Sequence, residues 1–554
     1  VVASGFQLAL PLVLRDAVDA LRTPSSAHLL GRYVTVFAAL AVGQAAFKFV
    51  SRNGFMGAAR RVEHDLRTRY FTRLIRLPAE RIEAGRKGDF VSRATHDLQD
   101  VRLFLGAGAL NFLQTLVLLL SATVLLWRIH PLLTLTALAP FPVVSVLVRR
   151  YSPRLHRRYL EANRKAGELS ALVQESLAGA RVARVFHREG WQEERFRAAN
   201  GEVREAQARV IRAWALLFPL VGAVAGLGHV AVLGLGGFWV STGELTLGDF
   251  VAFNAYLGML TWPMVALGWT MSLAQRGAAA LERLGEVLEA PPAPDGDLPV
   301  PSPRGTALEA EGLRFAYGGG AEGILTGVDL AVPGGTFRGL VGATGSGKST
   351  LISLLARLRE PLEGRILVHG VPLDRVRDRE LRDFLALVPQ EDFFFADTVE
   401  NNVLLGRAPD QNLLRWSLEV AGLAEDVAGM TDGVASVVGE GGVTLSGGQR
   451  QRLAIARALY GRPKCLLMDS ALSSLDAATA RRVLEGVRAA IPGLTLLVVS
   501  HRGSEVESAD RVCFLEGGRI AAEGTHAELL REVPAYLRLY REERLRQELM
   551  EAAG

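Results

Sequence analysis

Long apolar windows and basic windows alternate through the first half of the chain, and the alternation stops near residue 275. Residues 29–50, 105–127, 131–148, roughly 214–240 and roughly 249–273 are long enough to cross ~30 Å of hydrocarbon at about 1.5 Å per residue. The opening run, VVASGFQLALPLVL, is apolar too, with neither a basic leader nor a small-residue cleavage signal. It reads as a first spanning helix whose N-terminal part is missing or processed. The pattern therefore predicts a six-span α-helical domain over residues 1–275. Asn111, Gln114, His229, Asn254, Trp262 and Trp269 fall inside the spans. Lining a substrate cavity, bonding helix to helix and anchoring at the interface would explain them equally well.

Loop charge orients the spans. Segment 51–104 holds twelve Lys/Arg and segment 149–213 fifteen, whereas Arg128 stands alone after the third span and none lies between Trp239 and Phe250. The positive-inside rule puts the two basic segments in the cytoplasm, and an even span count puts the C-terminal half there as well. Within 152–213, Leu155, Tyr159, Leu169, Leu172, Val173 and Leu177 recur at three- and four-residue steps between charges. The spanning helices are thus expected to continue beyond the bilayer and turn back near 78–89 and 175–186.

Residues 276–306 pass from an Ala/Leu/Glu helix into a stretch with six prolines in thirteen residues, an extended linker. From 307 to 554 strands and helices alternate, as in an α/β domain. Composition supports this segregation, because a mean hydropathy of +0.20 coexists with 22% charged residues. The net charge of only +5 gives no ground for a nucleic-acid partner. Cys465 and Cys513 lie far apart, which excludes a disulfide scaffold or a cysteine zinc site.

The polar half carries phosphate chemistry. Gly342, Thr344, Gly345, Ser346, Gly347, Lys348, Ser349 and Thr350 belong to a G-x-x-x-x-G-K-S-T run between an apolar strand, FRGLV, and an apolar helix, LISLLARL. Glycines let backbone amides wrap phosphates, and the helix N-terminus adds positive potential. Lys348 supplies a point charge to the β/γ oxygens, and the Ser349 hydroxyl suits Mg²⁺. Asp469, closing the apolar strand KCLLMD, is the acidic element that would hold the same Mg²⁺. ATP and Mg²⁺ are the expected cofactors.

Between these motifs stands Leu445-Ser446-Gly447-Gly448-Gln449, and here the sequence resembles the ATP-binding cassette (ABC) family. The resemblance extends over the whole chain, and six spans fused ahead of one cassette resemble a type IV exporter half. It implies that Tyr317 stacks on adenine and that Gln390 is the loop glutamine reaching Mg²⁺. It further implies that Glu440 is an exporter-specific contact, Asp476 belongs to the loop after the second acidic motif, and His501 is the switch histidine. GDFVSRATHDL and QESLAGARVARVFHREGWQEERF read like the family's coupling-helix regions. Family members pair two cassettes, each ATP lying between one chain's phosphate loop and the other's signature. Ser446, Gly447, Gly448 and Gln449 would then complete a partner's site.

One residue departs from the family pattern. Ser470 follows Asp469 where a Glu general base is usual, and a serine hydroxyl cannot accept a proton from water near neutral pH. General bases contribute about 10²–10⁴-fold, so this chain's own site should bind ATP and hydrolyse it slowly. The leading expectation is the degenerate-site subunit of a heterodimeric exporter of hydrophobic or amphipathic compounds, multi-pass in the cell membrane with its cassette cytoplasmic. A homodimeric exporter or lipid flippase is one alternative. A regulatory subunit that binds ATP without transport is another.

Overall fold

The computed structural model describes residues 2–21, 27–302, 305–317 and 323–553. Their contacts divide into two compact units. Val1–Ile75 with Gly88–Ala290 form one, and Arg76–Lys87 with Pro291–Gly554 form the other. The glycines that follow Tyr317 lie outside the described residues.

The first unit is all helix, built from six rods among its described residues. They are Val2–Ala20, Ala27–Leu74, Lys87–Ile129, Pro131–Leu138 continued by Phe141–Ala178, Glu189–Thr242 and Leu247–Leu288. The second rod has 48 residues, and at about 1.5 Å each it far exceeds ~30 Å of hydrocarbon. By length and hydropathy, Leu29–Leu74, Lys87–Ile129 and Glu189–Thr242 could each cross a membrane, while Pro131–Val144 and Leu247–Leu260 are shorter apolar helices. Six spans were expected. The first rod carries Arg15, Asp16 and Asp19 near its end, and Arg149 and Arg150 follow the fourth apolar stretch, which shortens both windows.

Leu126, Leu133, Phe253, Tyr256, Leu257 and Leu260 form the heart of this unit, all fully buried. The Tyr256 hydroxyl donates to the Leu8 carbonyl at 2.6 Å, tying the sixth rod to the first. At the rods' other end the Arg283 guanidinium forks onto both Asp97 oxygens at 2.8 and 2.6 Å. Three short π-helical stretches interrupt the rods, at Arg93–Asp97, Phe104–Gly108 and Val232–Gly236. Phe104 is seated on Gly277, where an added Cβ would come within 2.8 Å of it. Val42, Phe49, Leu120, Val124, Leu227 and Leu233 are exposed on the rods. So much outward apolar surface suits lipid or a second protein surface better than water.

Two short helices punctuate the long rods: Ala79–Ala84, in the second unit, and Ala180–Val185, in the first. They fall inside the two expected turns.

The described part of the second unit has strands β1 (Thr306–Phe315), β2 (Leu325–Pro333), β3 (Phe337–Val341), β4 (Glu363–Val368), β5 (Val371–Pro372) and β6 (Leu385–Val388). After them come β7 (Asp397–Thr398), β8 (Val437–Val438), β9 (Cys465–Asp469), β10 (Thr495–Ser500), β11 (Arg511–Glu516) and β12 (Arg519–Gly524). An antiparallel sheet runs in the order β2-β1-β4-β5, and a larger one β12-β11-β3-β10-β9-β6, parallel except for the edge strand β12. Every residue of β3, β9 and β10 is buried, as parallel strands covered on both faces require. The sixth rod stays helical to Leu288, through the first part of the expected linker, and the division between units falls at Ala290. The proline-rich segment beyond is clipped down: Leu298 donates to the Arg375 carbonyl at 2.8 Å, and the Asp378 amide donates to Asp295 at 2.7 Å.

A half-buried arginine organises the middle of the second unit. Arg457 lies 4.6 Å over the Phe394 ring and donates to the carbonyls of Asn402 and Phe393, both at 2.9 Å. Beside it, Asp392 holds a buried carboxylate oxygen, Oδ1, without a hydrogen-bond partner. Burial, opposed by Arg457 and Arg450, pushes this carboxyl up to about 7. Its folded value lies above the ordinary one, so stability is full at low pH and falls as pH rises toward 7. Asp392→Asn removes that slope. In thermal unfolding of the full chain in lipid nanodiscs, the variant should match the parent near pH 3.5 and increasingly exceed it up to pH 8, by on the order of 2–4 kcal/mol there.

Candidate functional site

Strand order builds the site. In the run β3-β10-β9-β6 the neighbours are parallel, so the C-terminal ends of four adjacent strands share one edge. The loop from Gly342 leaves β3, His501 follows β10, Asp469 and Ser470 stand at the end of β9, and exposed Gln390 lies just past β6. Adjacent strands are ~4.8 Å apart, so groups that span some 160 residues of sequence line up within about 15 Å. Ligands of open α/β sheets bind at this edge.

The phosphate loop is shaped by what its glycines exclude. A Cβ at Gly342 would collide with the Leu515 carbonyl. Gly345 and Gly347 have φ of +82° and +101°, left-handed values that turn the chain into the helix Lys348–Leu355. Lys348 donates from Nζ to the carbonyls of Gly342 and Ala343 at 2.7 and 2.8 Å, arching over its own loop. Burial lowers its pKa, and the Asp469 charge opposes that shift. The Ser346 hydroxyl is buried without a hydrogen-bond partner. A phosphate oxygen is the kind of acceptor that would satisfy it.

Asp469 is almost fully buried and its Oδ1 has no hydrogen-bond partner. Burial raises its pKa, while a hydrogen bond from Ser349 and the Lys348 charge pull it down. A buried, unsatisfied carboxylate oxygen beside a hydroxyl fits a hard divalent cation. The described residues contain no cluster of three or more His, Cys, Asp or Glu ligands. Mg²⁺ keeps several waters and phosphate oxygens as ligands, so one carboxylate and one hydroxyl are the share this chain would supply.

Ser470 adopts φ +52°, a left-handed conformation rare outside glycine. Its amide donates to Val499 O at 2.9 Å, and its carbonyl accepts from the Ser473 amide at 3.2 Å and from Gln451 Nε2 at 3.5 Å. Gln451 also donates to Ser473 Oγ at 3.0 Å and accepts from the Ser474 amide at 2.8 Å. One buried glutamine thus fixes the whole loop after β9. Asp476 ends that loop as the N-cap of Ala477–Ala490, its carboxyl held below the usual range by the Thr479 amide.

Ser446 to Gln449 stand apart from the row of strand ends. Ser446 caps the helix Gly447–Tyr460 in a reciprocal box with Gln449, whose amide group also donates to Asp426 at 2.9 Å. The Gln449 side chain thus has both its oxygen and its amide group engaged in this chain. Gly448 lies against Leu475, which an added Cβ would approach to 3.1 Å. Tyr317 bonds Thr350 Oγ1 at 3.2 Å, meets Phe315 edge-on and remains 47% exposed. Asn111 and Gln114 on the third rod, His229 on the fifth and Asn254 on the sixth are half-buried, and Trp269 is exposed. The side chains of Trp262 and Glu440 lie outside the described residues. Sequence reasoning passed over Gln451, Arg457 and Asp392. Gln451 had the best signal, a second glutamine two positions beyond the signature.

Two family descriptions match the chain: "ABC transporter transmembrane region" over residues 1–264 and "ABC transporter" over residues 325–473. The chain is 34% identical to a probable multidrug resistance ABC transporter ATP-binding/permease protein, YheI, of Bacillus subtilis, over 98% of this chain and 93% of that one. It is 32% identical to an ATP-dependent lipid A-core flippase of Chromohalobacter salexigens, over 96% and 92%. Among solved structures it matches a bacterial Atm1-family ABC exporter with ATP bound, at a TM-score of 0.83 and 26% identity over 98% of this chain and 96% of that one. With both halves matched and full-length relatives in hand, the chain belongs to the ABC transporter family, as a multi-pass membrane protein of exporter fold with a cytoplasmic ATP-binding domain.

Proposed function

We propose that this chain is one half of a dimeric, ATP-driven exporter of hydrophobic or amphipathic compounds, with six spans over residues 1–275 and its own hydrolytic site disabled at Ser470. The observation that carries the reading is the pairing of an intact phosphate loop and signature with a hydroxyl at the general-base position. Backbone amides of the Gly342–Ser349 loop would hold the phosphates, Lys348 would neutralise their charge, and Tyr317 would take the base. Asp469 and Ser349 would hold Mg²⁺, with Gln390 reaching toward it, and Mg²⁺ would screen the phosphate charge. His501, one strand from Asp469, would contact the terminal phosphate. Ser470 would neither take a proton from water nor carry charge, so ATP would persist there. The partner's site, completed by Ser446, Gly447 and Gly448, would do most of the turnover.

A second chain is supported by two exposed apolar surfaces. Val185 and Phe186, at the tip of the helix Ala180–Val185, are 75% and 70% exposed. Phe393 and Phe395, a T-shaped pair next to Gln390, are 57% and 55% exposed. Neighbouring apolar side chains this exposed suit cover by another chain better than water. We assign the partner's equivalent of the Ala180–Val185 helix to the Phe393/Phe395 patch, which would bring substrate-driven movement next to Gln390. The relative named as a lipid flippase favours lipid as the cargo of a second reading, in which the chain works as a homodimer. Ser470 argues against it.

Two measurements test this. The purified chain alone in lipid should bind ATP but release phosphate slowly, and Ser470→Glu should raise the rate by about 10²-fold or more. Fast release by the parent, unchanged by the substitution, would sink the degenerate-site reading. In the active assembly, Phe393→Asp with Phe395→Asp should leave ATP binding intact and cut substrate-stimulated turnover by about tenfold or more, as loss of an aromatic anchor does. Unaltered stimulation would remove the patch from the coupling route.

A further inference from the structure

Tyr317 has little around it in sequence to hold its ring still. Three consecutive glycines follow it, and a flat platform gains stacking affinity only if its rotamer is fixed beforehand. The structure supplies three restraints on the ring. Phe315 abuts it edge-on at 5.1 Å between centroids, Thr350 bonds its hydroxyl, and the Arg359 guanidinium lies over the ring at 4.6 Å. Planar guanidinium on an aromatic face is a favoured arrangement. Arg359 is itself held: its side chain is only 14% exposed, and it pairs with Glu83 and, at 3.7 Å, with Glu80. Both carboxylates sit on the short helix Ala79–Ala84, which belongs to the same compact unit as the ATP-binding domain.

Building on the reading of Tyr317 as the adenine platform, we infer that Arg359 is a positioning residue that fixes this platform and ties it to the helix Ala79–Ala84. Glu80 and Glu83 hold the guanidinium, the guanidinium covers one face of the ring, and the ring keeps nearly half its surface open for a base. Because linkage is reciprocal, charges on Ala79–Ala84 that never touch nucleotide should tune affinity for the adenine half of ATP and leave its phosphates alone. A guanidinium that merely fastened this helix would have no such selectivity.

The test is calorimetric titration of the full chain in lipid nanodiscs with two probes, Mg·ATP and base-free inorganic tripolyphosphate. Arg359→Ala should weaken ATP binding by about 3- to 10-fold and leave tripolyphosphate within about twofold. Arg359→Lys, which keeps the charge without the planar stack, should recover part of the loss. Glu80→Gln with Glu83→Gln should weaken ATP by about 2- to 3-fold, again without affecting tripolyphosphate. Equal losses for both probes in Arg359→Ala would overturn the inference, since the residue would then support the phosphate loop generally. Parent-like ATP affinity in Arg359→Ala would also overturn it if Tyr317→Ala still weakened ATP. Should Tyr317→Ala leave the preference for ATP over tripolyphosphate unchanged, the adenine-platform reading fails, and this inference with it.

Discussion

The backbone ladder joining β3, β10, β9 and β6 is the constraint on which the nucleotide chemistry depends. Val499 pairs with Leu340 on one side and Asp469 on the other, and Met468 pairs with Val388. This register brings the root of the phosphate loop, the Asp469 carboxylate and the chain before His501 to the same level. A slip of one residue in β9 would send Asp469 to the opposite face of the sheet and bring Met468 toward Ser349. Burial on both faces enforces the register, because each strand exchanges its whole apolar set when it slips. The largest contiguous cores of the second unit lie on the two faces of this sheet.

That sheet carries two carboxyls whose burial has different consequences. Asp469 and Asp392 both have an unsatisfied oxygen and a pKa displaced upward by desolvation. Asp469 stands beside Ser349 and Lys348 at the open strand edge, where a cation and phosphates can compensate it. Asp392 follows Gln390 by two residues and feels the charges of Arg457 and Arg450. A buried unsatisfied group is tolerated where binding relieves it, and elsewhere it lowers stability. The same physical signature thus marks a ligand site in one place and a source of pH sensitivity in the other.

Motifs whose spacing encodes local geometry were legible in the sequence. Gly342, Gly345 and Gly347 have to be glycine for reasons of φ and contact, and Asp469 has to end an all-apolar strand. The division between helical and α/β halves was legible for the same reason, since apolar windows and strand periodicity are local properties. What the sequence concealed depends on distant partners. Arg359 meets Glu83 across 276 positions, and Asp97 meets Arg283 across 186. No charge pattern in a chain with 63 basic residues singles out those pairs. The segment Arg76–Lys87 therefore reads as part of the helical half, although its contacts place it with the second unit. The capping bonds of Gln449 to Ser446 and Asp426 were likewise not legible from the signature motif alone.

Ser470 combines burial with backbone strain. Its left-handed φ costs on the order of 1–2 kcal/mol for any residue with a Cβ. The Val499 carbonyl, the Ser473 amide and Gln451 hold the backbone in that shape. Gln451 also holds Ser473 and Ser474, so the same bonds shape the whole loop that leads to Asp476. A ligand present at 100 times its Kd stabilises the state it binds by about 2.7 kcal/mol without being consumed. Under the function proposed above, a site that holds ATP without cleaving it would keep two cassettes in contact while the partner's site sets the cycle.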